Sequence, residues 1–107
     1  MPMWTELETV EALEQCFART ERPVLLFKHS TRCPLSAMAK SRIENGRDEA
    51  LDYFLIDVIR HREVSQKLAE KTEIRHESPQ AFLVCDGEVE TVKSHTDIRP
   101  SAFALNQ

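Results

Sequence analysis

The sequence of 107 residues lacks any apolar run of the roughly 18 residues that a membrane-spanning helix needs. It also lacks the basic and then apolar order of a signal peptide at its start. We therefore expect a cytoplasmic protein without a membrane segment. Its 14 Lys and Arg residues are interspersed with 18 Asp and Glu residues, for a net charge of −4. No one-sided basic surface follows from this pattern, which argues against a nucleic-acid partner.

Cysteine is scarce, and no Cys-x-x-Cys pair occurs. The three cysteines, Cys16, Cys33 and Cys85, are an odd number and lie far apart, unlike the disulfide framework of a secreted protein. At least one thiol must therefore stay unpaired. The histidines are scattered rather than spaced as zinc-ligand pairs, so we expect no metal site; they are His29, His61, His76 and His95.

The composition, 41% hydrophobic and 30% charged, is that of an ordinary folded protein rather than a disordered or fibrous one. The length suits one compact unit, and neither an internal repeat nor a linker interrupts the chain. We expect a single domain over residues 1–107.

Hydrophobic periodicity predicts an α/β protein. Thr5 and Glu8 form a capping-box pattern for an amphipathic helix of about three turns that ends near residue 20. The continuous apolar run 24–27 is typical of a central strand buried on both faces. The remaining pattern predicts helices at 34–44 and 62–71, strands at 51–58, 81–85 and 88–93, and a final short helix at 100–105 capped by Thr96 or Asp97. The order αβαβαββα indicates a mixed four-stranded sheet flanked by helices.

Cys33 stands between the central strand and the second helix. Pro34 suits the first turn of that helix, which places the thiol at a helix N-terminus, where negative charge is favoured. Arg32 beside it and Lys28 at the strand end add positive charge, so we expect a nucleophilic thiolate. The alternative is a small residue that merely fits a tight turn.

Ser36 occupies the position at which a dithiol enzyme carries its second cysteine, and a hydroxyl cannot close a disulfide. The site is therefore predicted to be monothiol. Cys85 lies in an apolar strand and Cys16 lies beside Phe17 on the first helix, so we expect both to be packed rather than catalytic.

Ser78 and Pro79 precede a strand, which is explained equally well by strand initiation and by a functional turn. A cis bond here would present the backbone of Ser78 to an extended ligand that carries a thiol. His29, His76 and His95 are possible proton-transfer groups, but isolated histidines are more often structural, and their roles stay open.

Three motifs resemble the monothiol bacilliredoxins, a family of bacillithiol-system proteins. They cover nearly the whole chain, in the family's order: Phe27-Lys28-His29-Ser30-Thr31-Arg32-Cys33-Pro34-Leu35-Ser36, then His76-Glu77-Ser78-Pro79-Gln80, then Ser94-His95 with Thr96 to Arg99. The resemblance implies a thioredoxin-like fold, Cys33 as the catalytic thiol, Pro79 as a cis-proline and bacillithiol as the small-thiol partner.

The resemblance further implies a thiol–disulfide oxidoreductase that removes bacillithiol from proteins modified by it, with bacillithiol as co-substrate and no other cofactor. Cations and exposed N–H groups suit the carboxylates of bacillithiol. The residues expected to contact substrate are Lys28, Arg32, Pro34, Ser36, Ser78 and Pro79. Another low-molecular-weight thiol, such as glutathione, would serve the same chemistry.

Two alternatives remain at the level of the sequence. An iron–sulfur carrier of the monothiol glutaredoxin type would use one cysteine per subunit, although Pro34 stands where those proteins have glycine. A stress protein without turnover would merely accept a protective thiol cap on Cys33.

Overall fold

The computed structural model describes residues 2–104, whose centre is a five-stranded mixed sheet. Its strands are β1 (Trp4–Glu6), β2 (Val24–His29), β3 (Asp52–Asp57), β4 (Gln80–Cys85) and β5 (Glu88–Ser94). They are arranged in the order β1-β3-β2-β4-β5. The first three in this order are parallel, and β4 and β5 are antiparallel to their neighbours.

Helices cover both faces of the sheet. They are α1 (Val10–Phe17), α2 (Pro34–Asn45) and α3 (Arg62–Thr72). Buried residues of α1 and α3 pack on one face, and those of α2 pack on the other together with Ile98 and Phe103. None of the helices within residues 2–104 is long and apolar enough to cross a membrane.

Strand β2 is the central strand, as its apolar sequence predicts. Val24 and Leu26 belong to the core on the α1 and α3 face, whereas Leu25 and Phe27 belong to the core on the α2 face. Because side chains alternate along a strand, Lys28 continues the first of these rows and His29 continues the second. The end of β2 therefore directs one basic side chain into each layer.

The start of the chain differs from the sequence-based expectation. Thr5 lies in β1, so it does not cap a helix, and α1 begins only at Val10. The N-cap is Thr9, whose hydroxyl oxygen accepts a hydrogen bond from the backbone N–H of Ala12 at 3.0 Å. The predicted cap was wrong because both threonines precede apolar residues at helical spacing.

The sheet has five strands rather than the predicted four. The additional strand, β1, pairs in parallel with β3 at the sheet edge. It contains only three residues, and two of them are exposed, so no alternation or apolar run marks it in the sequence. Its pairing depends on β3, which lies about fifty residues later in the chain.

The predicted final helix is replaced by two short 3₁₀ turns, His95–Asp97 and Pro100–Phe103. Thr96 and Asp97 lie within the first turn and cap nothing; Arg99 occupies the N-cap of the second without a side-chain hydrogen bond. The predicted end at Leu105 lies outside the described residues.

Candidate active site

Cys33 is the N-cap residue of α2 and directly follows the turn that leaves β2. Its N–H donates to the carbonyl of Ser30 at 3.2 Å, and its own carbonyl accepts from the N–H of Ser36 at 3.0 Å. The side chain is half-buried and makes no capping hydrogen bond. The thiol therefore stands at the positive end of a helix of 12 residues, with its sulfur uncommitted.

Ser36 is fully buried one turn into α2. Its hydroxyl oxygen accepts from the N–H of Ser30 at 3.0 Å and lies 2.7 Å from Nδ1 of His29. These contacts join both ends of the loop that carries Cys33. Ser36 thus supports the loop from beneath and is not exposed to a substrate in this structure.

The ring of His29 stacks on Phe27, with centroids 5.7 Å apart. Burial, reinforced by the positive charge of Lys40, lowers the pKa of His29. The ring is therefore neutral near pH 7 and able to share a hydrogen bond with Ser36.

The other two cysteines are poorly placed for exchange with Cys33. Cys16 is buried in the core, and burial raises the pKa of its thiol to about 12. Cys85 lies at the opposite end of the strands from Cys33, because Gln80 at the start of β4 pairs with Lys28 near the end of β2. The five residue steps from Gln80 to Cys85 span about 17 Å, whereas a disulfide needs Cα atoms within about 7 Å.

Lys28 is completely buried beneath the site. Its Nζ lies 3.0 Å from Nδ1 of His76 and 5.9 Å from the centre of the Phe82 ring. Burial lowers the pKa of this amine to about 8. Direct contact between Lys28 and a substrate is not available in this structure, so its influence must pass through His76.

His76 is an exposed residue whose Nδ1 is turned inward. The same nitrogen that faces Lys28 lies 3.3 Å from the hydroxyl of Ser65 on α3. Partial burial of the ring, and next the charge of Lys28, lower the pKa of His76. A neutral ring with Nδ1 as acceptor carries its proton on Nε2.

Several hydrogen bonds hold the turn before β4 in place. The bond between Ser78 and Pro79 is cis, as the family resemblance implies, and the carbonyl of Pro79 accepts from the N–H of His95 at 3.0 Å. Gln80 is buried; its Nε2 donates to the carbonyl of Arg75 at 3.1 Å, and its Oε1 accepts from the N–H of Glu77 at 3.2 Å. The Ser78 hydroxyl oxygen is buried without a partner among the described residues.

The remaining predicted site residues lie at the surface. Arg32 and Pro34 are exposed on either side of Cys33. His95 is also exposed, and its Nε2 lies 3.3 Å from a carboxylate oxygen of Glu77. The predicted residues thus lie at the end of the sheet where β2 ends and β4 begins. Lys28 and Ser36 are buried there, whereas Arg32 and Pro34 are exposed.

Two clefts open at this end of the sheet. One, of about 350 Å³, is lined by Val58, Ile59, Arg62, Ser65, Gln66 and His76. The other, of about 330 Å³, is lined by Trp4, Glu6, His29, Thr31, Lys40, Leu55, Asp57 and Arg60. Within residues 2–104, no group of three or more His, Cys, Asp or Glu side chains is placed to hold a metal ion.

Sequence reasoning did not identify Gln80, Arg62 or Gln66 as site residues. Gln80 is a polar residue at the start of an apolar strand, and that signal was available. Arg62 and Gln66 are four residues apart and share a face of α3, but the charges of this helix were interpreted as a solvated surface. Only the packing of α3 beside His76 brings them to the site.

Comparisons with known proteins identify the family and the fold. A family model described as monothiol bacilliredoxin BrxC matches residues 5–103. A solved structure described as a putative oxidoreductase with a thioredoxin fold is 32% identical, with a TM-score of 0.86, and the match covers 94% of this chain and 89% of that one.

More distant structures show the same fold. The thioredoxin of Malassezia sympodialis matches with a TM-score of 0.72 at 13% identity, covering 94% of this chain and 83% of that one. The thioredoxin of Fasciola hepatica matches with a TM-score of 0.70 at 17% identity, covering 84% and 85%. The expected thioredoxin-like fold is confirmed.

Proposed function

Because the chain belongs to the monothiol bacilliredoxin BrxC family, we propose that it is a thiol–disulfide oxidoreductase that removes bacillithiol from protein mixed disulfides. The observation that carries the proposal is the position of Cys33 at the N-cap of α2, with its sulfur uncommitted. Family membership and fold both indicate thiol redox chemistry. The choice of bacillithiol over another small thiol is the finer part of the proposal.

In the first step, the Cys33 thiolate attacks the bacillithiol sulfur of the mixed disulfide. A new disulfide forms between Cys33 and bacillithiol, while the old disulfide breaks and the client cysteine leaves as a thiolate. That thiolate takes up a proton from solvent. The client is thereby reduced, and Cys33 carries the oxidised bond.

The second step requires a thiol from another molecule. Cys16 and Cys85 are unsuitable as resolving groups, because Cys16 is buried and Cys85 lies at the opposite end of the strands from Cys33. A second bacillithiol thiolate attacks the bacillithiol sulfur on Cys33, releasing bacillithiol disulfide and the Cys33 thiolate. Such recycling needs a reducing compartment, so we propose a cytoplasmic location.

The predicted substrate contacts divide into two groups. The proposed contact surface consists of Arg32 and Pro34, which are exposed on either side of Cys33, and of the backbone of Ser78 and Pro79. Lys28 and Ser36 support it, since both side chains are buried. Arg32 provides a cation beside the thiol for an anionic substrate.

The test is release of bacillithiol from a bacillithiolated client, followed by intact mass spectrometry of both proteins. The wild-type protein should remove bacillithiol from the client and transiently carry one bacillithiol on Cys33. The Cys33→Ala protein should do neither. Cys85→Ala is the matched control, because it removes a thiol remote from the site, and it should behave as wild type.

A client that stays modified in the presence of wild type, while Cys33 is readily alkylated, would overturn the proposed transfer. Uptake of bacillithiol by Cys33 from bacillithiol disulfide without release from the client would instead support a protective cap without turnover.

A further inference from the structure

The 350 Å³ cleft between α3 and the turn before β4 has a lining suited to an anion. Arg62 contributes a guanidinium, Gln66 an amide and Ser65 a hydroxyl, and no acidic side chain lines this cleft. The 330 Å³ cleft differs, because Glu6 and Asp57 line it together with its basic residues. Of the two, only the cleft beside α3 is unbalanced in favour of positive charge.

The buried amine of Lys28, which contacts His76, adds a second, independent observation. Lys28 is completely buried, and it forms no ion pair with a carboxylate anywhere in residues 2–104. Burying a cation without a counter-charge is costly. A negative group held in the cleft above it would supply the missing charge through the His76 ring.

The contact between Lys28 and His76 also determines which ring nitrogen of the histidine carries the proton. The ammonium group can only donate, so Nδ1 of His76 must accept at 3.0 Å. The proton of the neutral ring is therefore on Nε2, and His76 lines the cleft. The histidine that lines the same cleft as Arg62 therefore carries a ring N–H before any ligand arrives.

This cleft borders the end of β2, from which the chain continues to Cys33. The N–H of Val58, a lining residue, donates to the carbonyl of His29 at 3.0 Å. Four residue steps separate His29 from Cys33, which span at most about 14 Å. The true distance is shorter, because the chain turns between Ser30 and Cys33.

We propose that this cleft binds the carboxylate-bearing end of the low-molecular-weight thiol, with Arg62, Gln66 and Nε2 of His76 as the contacting groups. Lys28 is a positioning residue that acts through His76. The inference rests on the proposed function of Cys33 and extends it, since it places the carboxylates on α3 rather than on Lys28 itself.

The kinetic test compares one client protein carrying either bacillithiol or uncharged 2-mercaptoethanol on the same cysteine. Arg62→Gln should raise the KM for the bacillithiol adduct roughly tenfold, the effect of one charge-assisted hydrogen bond. Its kinetics with the 2-mercaptoethanol adduct should stay as in wild type. Arg75→Gln is the matched control: it removes an exposed arginine next to His76 that does not line the cleft, and it should leave both adducts unaffected.

The outcomes separate the two proposals. Wild type that releases neither adduct contradicts the proposed function. Equal losses for both adducts with Arg62→Gln mean that the arginine contacts the client rather than the small thiol, and no loss with either adduct means that the cleft is unused. Both results overturn the subsite while leaving the role of Cys33 intact.

A binding experiment tests the subsite without turnover. S-methyl bacillithiol, which cannot form a disulfide, is titrated into the Cys33→Ser protein while ¹H–¹⁵N spectra are recorded. Side-chain signals of Arg62 and His76 should shift, and His76→Asn, which keeps an acceptor for Lys28 but loses the ring N–H, should weaken binding several-fold. Shifts confined to Lys40 and Arg60 would place the ligand in the other cleft and overturn the proposal.

Discussion

Lys28 shows how a single side chain links the stability of this protein to its site. A buried amine is favoured in its neutral form, which is why the pKa of Lys28 falls from 10.5 to about 8. Near pH 7 the amine is still mainly protonated, so the folded protein carries the cost of a buried charge. The contact with His76 offsets part of that cost and fixes the orientation of the ring.

Replacement of this amine by an apolar side chain of similar length should stabilise the protein at neutral pH. Lys28→Met is expected to raise the free energy of unfolding at pH 7 by on the order of 1 kcal/mol, because no charge is then buried. In wild type, the unfolded chain binds the proton more tightly than the folded protein between pH 8 and 10.5. The stability of wild type should therefore rise with pH in that window and approach that of the variant.

Urea denaturation of both proteins at pH 7 and pH 9.5 measures this change; linkage allows wild type to gain up to about 2 kcal/mol, enough to close the expected difference of about 1 kcal/mol. Lys93→Met removes an exposed lysine of β5 and is the matched control for loss of an amine as such. Parallel pH profiles for wild type and Lys28→Met would show that the amine does not titrate in this window.

At the level of the elements, helix ends decide where the reactive groups stand. Helix α2 starts at Pro34, so its N-cap position falls on Cys33 and the helix directs its positive end at the thiol. Helix α1 starts at Val10 because Thr9 satisfies the N–H of Ala12. The N-cap position therefore holds the proposed reactive thiol in one helix and a structural hydroxyl in the other.

Two threonine variants distinguish the observed start of α1 from the one that the sequence suggests. Thr9→Ala should lower the free energy of unfolding by about 1 kcal/mol, because the N–H of Ala12 loses its acceptor. Thr5→Ala changes an exposed position of the short edge strand β1 and should cost less than about 0.5 kcal/mol. Thermal and urea unfolding measure both values, and a reversed order would place the helix start at Thr5.

Across the whole molecule, the sheet keeps the three thiols in three separate environments. Cys33 lies at the end of the sheet where β2 ends, and Cys85 lies at the opposite end of the strands. Cys16 lies in the core between α1 and the sheet. Burial raises the pKa of Cys16 to about 12, and burial together with the nearby Glu90 and Asp86 raises the pKa of Cys85. Of the three thiols, the two outside the candidate site are thus disfavoured as thiolates.

Alkylation should reveal this separation. Iodoacetamide at pH 7 is expected to modify Cys33 first, Cys85 at least tenfold more slowly and Cys16 only after unfolding in urea, because the thiolate is the reacting form. Peptide mass spectrometry gives the order. After mild oxidation without added thiols, no disulfide within one chain should be found, and a Cys33–Cys85 bridge would contradict the described separation.

The regular elements were predictable because their signals are local. The apolar run of β2, the proline at the start of α2 and the Asp86-Gly87 turn each constrain the backbone through neighbouring residues, and all three elements lie where the sequence places them. The start of α1 and the strand β1 were not predictable in this way. Strand β1 depends on pairing with β3, which no local pattern records, and α1 has two threonines that suit a cap, of which the fold uses Thr9 because Thr5 lies in β1.

The sequence by itself determined the position of Cys33 between a buried strand and a helix, the absence of a second cysteine three residues later, and the motifs of the family. These follow from residue order and from backbone chemistry within one turn. Only the tertiary structure decided that Lys28 is buried against His76 and that Arg62 and Gln66 stand beside them. Such contacts join residues far apart in the chain. They form because the end of β2, the helix α3 and the turn before β4 pack together at one end of the sheet.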